Sequence, residues 1–190
     1  MHRMPHAPEP ISLQPHPANP ALVGPTVEVA LQGQAGVLRL VYRIVADSRR
    51  LRYTRTGAAR RTDRLWEETC CEVFIGASDR ASYREFNFAP SGAWAAYDFT
   101  GYRAGGSDAP VSAPSIACTV AAGGIELVAQ IGAADLPAGA PLRLGLACVL
   151  AWEHGRRDYW AMRHPAEAPD FHHPGGFVLA LEAPAAAGLA

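Results

Sequence analysis

Leu38, Leu40, Tyr42 and Ile44 alternate with Val37, Arg39, Val41 and Arg43. Successive side chains of an extended chain point to opposite faces, so this pattern describes a β-strand with one buried side. Strand-like runs recur at 27–31, 70–75, 83–88, 92–99, 116–120, 125–131, 142–152, 158–163 and 177–182, with shorter candidates at 11–14 and 51–54. Between them stand turn signals: Gly76, Pro90 with Ser91-Gly92, and Gly123-Gly124. These residues supply the unusual backbone angles that tight turns require. No amphipathic run of helical period exceeds two turns, and 133–136 reads as one helical turn before Pro137. Short strands with turn signals every ten residues or so predict an antiparallel, immunoglobulin-like β-sandwich of about ten strands. The sandwich is expected to occupy 26–183, after a Pro-rich, partly extended lead-in over 1–25 and before a flexible tail at 184–190. Leu38, Leu40, Ile44, Val73, Ile75, Phe86, Phe88, Ile125, Leu127, Leu144, Leu146, Leu179 and Leu181 are the expected core.

Composition removes several functions. The formal net charge of −1 leaves no electrostatic footprint for nucleic acid or an anionic membrane surface. All seventeen basic side chains are Arg, so lysine Schiff-base chemistry and a P-loop lysine are excluded. Cys70, Cys71, Cys118 and Cys148 form no CxxC pair, and they are expected to be free, buried thiols. The first residues carry no apolar signal core, and no apolar run is long enough to span a bilayer. A cytoplasmic location with no membrane association is the resulting expectation.

Chemistry-bearing residues concentrate in 63–103, which holds two of the four Trp and four of the six Phe, together with Glu67, Glu68, Glu72 and Glu85. Glu72 alternates with Cys71, Val73 and Ile75, while Glu85 and Asn87 alternate with Phe86 and Phe88. Glu72, Tyr83, Glu85 and Asn87 therefore share one sheet face, as a polar floor or as a solvated outer surface. Trp94 reads as core. His164, Asp170, His172 and His173 have metal-ligand chemistry, but their spacing fits no zinc motif and no metal is expected. GxSxG, HExxH and GxGxxG are all missing. The alternative with chemistry is a glycosidase-like enzyme using two of the glutamates.

The lead Asp63-x-Leu65-Trp66-Glu67, the strand 71–75, the run 83–94 with its Y-x-E-F-N-F-x-P-S-G-x-W pattern, the late Y-W-A-M-R-H-P at 159–165 and the closing P-G-G-F-V-L-A-L at 174–181 resemble the DOMON-like superfamily. Within it they are most similar to the family 9 carbohydrate-binding modules. The resemblance implies a sandwich that binds a sugar or a haem without performing chemistry. It places Trp66 and Glu72 against the ligand and Trp160 as a closing ring, with Trp152 as its substitute. Glu85, Asn87, Arg163 and His164 complete the expected site. The implied partner is a small molecule, a sugar first. A haem-binding electron carrier is the alternative; Met162 and His164 lie two apart on one strand and cannot bind opposite faces of one haem, which leaves His154, His172 and His173 as partners.

Overall fold

In the computed structural model, residues 9–20, 24–34, 36–55, 57, 59–138 and 141–182 are described. They form two antiparallel sheets stacked as a sandwich. The first, five-stranded sheet contains β1 (Ile11–Ser12), β3 (Thr26–Gln34), β4 (Val37–Val45), β9 (Ser115–Ala121) and β10 (Gly124–Gly132), in the order β1-β3-β4-β10-β9. The second contains β2 (Gln14–Pro15), β5 (Cys70–Ala77), β6 (Tyr83–Phe88), β7 (Trp94–Phe99), β8 (Ser107–Asp108), β11 (Leu142–Ala151) and β12 (Arg157–Ala161). Its order is β2-β12-β11-β5-β6-β7-β8, and β13 (Leu179–Leu181) pairs with β11 beyond the end of β12.

Each expected strand run reappears, except that 51–54 contributes only the isolated pairing of Leu51 with Trp152. β8 carries no alternation to read, since two residues cannot show a period. The helical turn at 133–136 is a 3-10 turn over Ala133–Asp135. Part of the Pro-rich lead-in belongs to the sandwich: β1 joins one sheet, β2 joins the other, and Leu13 between them is buried. Residues 1–8 and the tail expected at 184–190 lie outside the described residues.

Alternation decides what faces inward. Cys71, Val73 and Ile75 of β5, Phe86 and Phe88 of β6, and Leu144, Leu146 and Cys148 of β11 meet Leu38, Leu40, Tyr42 and Ile44 of β4 in a single interior. Trp94, Trp152 and Trp160 belong to it as well. Leu179 and Leu181 are only half-buried, because β13 is three residues long and lies at a sheet edge. All four cysteines are unpaired. Tyr42 crosses the interior and donates to the backbone carbonyl of Glu72 at 2.7 Å, tying the first sheet to the middle of the second.

The outer face of the second sheet is also covered. Phe74, Tyr83, Ala147, Ala161 and Phe177 form a smaller apolar cluster there, joined by Phe99 and Phe171. The covering segment runs from β12 to β13. It is seated at Gly145, where a Cβ would come within 2.9 Å of the Phe177 ring. Phe177 in turn stacks on Phe74 with ring centroids 5.8 Å apart.

Candidate functional site

On this covered face lies a cavity of about 540 Å³. Its floor comes from four adjacent strands, β11, β5, β6 and β7. In register across the sheet, Ala147, Glu72, Asn87 and Ala95 form one row, and Gly145, Phe74, Glu85 and Tyr97 form the next. Glu72 and Glu85 are diagonal neighbours on β5 and β6, within the reach of long side chains. The row expected from alternation is therefore real. It is buried rather than solvated: Glu72 is 3 % exposed, Glu85 4 %, Tyr83 4 % and Asn87 0 %.

The floor is an unusual electrostatic environment. Burial, then the proximity of Glu85, pushes the Glu72 carboxyl well above the ordinary carboxylate range. Burial also raises Glu85, to about 7, against the opposing pull of its hydrogen bond from Asn87 and of the Arg103 charge. Asn87 Nδ2 donates to Glu85 Oε1 at 2.6 Å, so Asn87 fixes Glu85 from within the same sheet face.

The walls are aromatic. Trp66 rides on a 3-10 turn, Leu65–Glu67, that follows Arg64 in the left-handed region at φ 61°. Arg157 Nη2 donates to the Glu67 carbonyl at 3.1 Å, and Arg52 donates to the same oxygen. These bonds hold the turn while leaving Trp66 41 % exposed. Its ring meets Tyr97 edge-on at 6.1 Å, and Tyr97 is fixed by donating to Asp63 at 2.8 Å. Beyond the floor on the β12 side stand Tyr159 and Phe171, whose rings pack at 6.1 Å.

A polar hinge closes one end. Asp170 accepts from Arg103 at 2.7 Å and from the Tyr102 hydroxyl, joining the 100–106 loop to the β12–β13 segment. Burial works against that carboxylate, but the bonds from Tyr102 and Arg103 win and keep it below its usual range. The Arg103 backbone N–H donates to the Tyr83 hydroxyl, and that hydroxyl lies 2.8 Å from His172 Nδ1. With Tyr83 donating to Nδ1, the imidazole proton sits on Nε2, 3.8 Å from Glu85 Oε2. Burial and the neighbouring Arg103 charge depress His172 to about 4, so the ring is neutral near pH 7.

Of the residues expected at the site, Trp66, Glu72 and Glu85 line the cavity and Asn87 braces it. Trp160 does not. It alternates with Tyr159, so when Tyr159 faces the cavity Trp160 enters the interior, where it is 4 % exposed. Trp152, the substitute, is buried too, its Nε1–H donated to Asp158 at 2.7 Å. Arg163 is exposed outside the cavity, and His164 instead packs on His16 at 4.7 Å and bonds to the Gln14 carbonyl. Met162 packs against the interior. Among the described residues no three His, Cys, Asp or Glu side chains converge as metal ligands. His173 accepts from the Gly175 backbone N–H at 3.1 Å and caps the turn there. Sequence reasoning missed Tyr97, Phe99, Arg103, Arg157, Tyr159 and Phe171. Alternation against Trp94 and Trp160 carried the signal for Tyr97, Phe99, Arg157 and Tyr159; Arg103 and Phe171 sit in loops, where no period exists.

No family model matches the chain, and the search of curated proteins gives no match. Solved structures do resemble it. A candidate carbohydrate-binding protein from Bacteroides uniformis superposes with a TM-score of 0.67 at 17 % identity, over 92 % of this chain and 85 % of that one. A family 9 carbohydrate-binding module from Caldicellulosiruptor kristjanssonii, in complex with cellotriose, superposes with a TM-score of 0.52 at 12 % identity, over 80 % of this chain and 72 % of that one. At such identities the likeness is one of fold.

Proposed function

We propose that the protein is a non-catalytic module that binds a carbohydrate in the cavity on the outer face of its second sheet. The observation that carries this reading is the half-exposed Trp66 ring beside a floor of buried carboxyl groups. Sugar rings present patches of C–H that lie on aromatic faces, and their hydroxyls need fixed acceptors and donors. Trp66 supplies the ring. Glu72 and Glu85 supply acceptors, with Tyr159 and Phe171 taking the place of a second indole. The motif resemblance of 63–103 and the fold shared with a sugar-bound module support the same reading.

Calorimetric titration against a panel of mono- and disaccharides tests the proposal. Binding of at least one sugar is expected. Trp66→Ala should weaken that binding about tenfold, because loss of stacking and apolar contact is worth about 1.4 kcal/mol here. The melting temperature should barely move, since Trp66 is 41 % exposed. A Trp66→Ala protein that unfolds, yet binds with unchanged affinity per folded molecule, would show that Trp66 is structural and that the site is wrong.

A further inference from the structure

The carboxyl group of Glu72 lines the cavity, is 3 % exposed, and accepts no hydrogen bond from any described residue. A buried group of this kind is costly unless something donates to it. Glu85, its diagonal neighbour, is better provided for, with a bond from Asn87. The cations lining the cavity are committed elsewhere. Arg103 is bound to Asp170 at 2.7 Å, and Arg157 gives its hydrogens to the Glu67 carbonyl. His172, a neutral ring near pH 7, is bonded to Tyr83 and lies 3.8 Å from Glu85 Oε2. The cavity thus presents two buried carboxyl groups, and among the described residues no cation bonds to Glu72.

We propose that the cavity selects a sugar bearing a protonated primary amine, its ammonium seated on Glu72 and Glu85 and its ring on Trp66. This rests on the carbohydrate reading above. An ammonium brings three donors and a positive charge. As the ammonium enters, the two glutamates release to solvent the protons that burial holds on them, and it bonds to both carboxylates at once and offsets the charge that burial disfavours. A hydroxyl brings one donor and no charge. An N-acetyl group keeps one N–H, loses the charge and adds bulk.

The test is titration calorimetry at pH 7 with glucosamine, glucose and N-acetylglucosamine, beside the wider sugar panel. Glucosamine should bind at least tenfold more tightly than the other two, a difference of about 1.4 kcal/mol. Glu72→Gln, which keeps shape and removes charge, should abolish that advantage, and Glu85→Gln should reduce it; thermal denaturation checks that both variants fold. Should either variant fail to fold, the wild-type ranking of the three sugars still decides. Equal or tighter binding of a neutral sugar overturns the inference and leaves the carbohydrate reading standing. So does an advantage that survives in a folded Glu72→Gln protein, since the amine then sits elsewhere. If no sugar of the whole panel binds, both readings fall.

Discussion

Replacing Glu85 with Gln should change how stability depends on pH, in a sense and by an amount that the structure fixes. Glu85 is 4 % exposed, and burial carries its carboxyl from 4.5 to about 7. Below about pH 4.5 the group is protonated in both folded and unfolded chains and favours neither. Between about 4.5 and 7 the folded protein holds a proton that the unfolded chain has lost. The stability that Glu85 contributes then falls as pH rises, by about 1.4 kcal/mol per unit, and this contribution levels off above 7. The 2.5-unit rise corresponds to about 3 kcal/mol. Gln titrates nowhere in this range and still accepts from Asn87, so the variant should lack this slope. Urea denaturation of both proteins at about pH 5 and about pH 8 measures it. Relative to wild type, Glu85→Gln should gain about 2.5 kcal/mol between the two conditions, since part of the unfolded chain's carboxyl is already ionised at about pH 5. His172 contributes a slope of opposite sign, but it is present in both proteins, and the comparison cancels it to first order. Parallel pH profiles for the two proteins would refute the reasoning. The Glu85 carboxylate would then be ionised and compensated in the folded state, and the floor would not be a low-dielectric one.

His172 should titrate near pH 4 by NMR, with its proton on Nε2 at neutral pH; because its folded value lies below the usual 6.5, the stability it contributes is present above about 6.5 and lost as pH falls toward 4, and an ordinary histidine titration would show that neither burial nor the Arg103 charge acts on the ring. Trp160→Ala should cost about 3–5 kcal/mol of stability in chemical denaturation while leaving sugar affinity per folded molecule unchanged. Trp160→Phe should cost far less, since the Trp160 indole N–H finds no acceptor among the described residues.

The floor of the site was legible in the sequence because a strand has one rigid rule. Once Val73 and Phe86 are assigned inward, Glu72 and Glu85 must face the other way, and no knowledge of the partner sheet is needed. The same rule, applied to β12, lets only one of Tyr159 and Trp160 face the cavity; the resemblance points to Trp160, and the long aliphatic run of β11 beside them gives no hint that it is Tyr159. Whether the floor faces water or a second layer depends on where 163–177 docks. That is set by Phe177 settling over Gly145, a contact between residues 32 apart that no local pattern encodes. Arg103 and Asp170 were unreadable as a pair for the same reason. Each sits in a loop, and only the folded sandwich brings the loops together.

The bond from Tyr83 to His172 spans 89 residues, and that from Arg103 to Asp170 spans 67, whereas Glu72 and Asn87 meet across a neighbouring hairpin. Closing long loops costs more chain entropy than closing short ones, and contacts between distant residues form slowly. The carboxyl-bearing hairpin therefore belongs to an early stage of assembly and its aromatic cover to the latest. On a ribosome the order is stricter still, because Phe171, His172 and Phe177 emerge after every strand of the floor has been made. Until they dock, Glu72 and Glu85 stand in water as ordinary acids. They acquire their raised affinity for protons at the moment the cover settles. The raised proton affinity of this floor is thus a property of the finished chain, acquired in one late step.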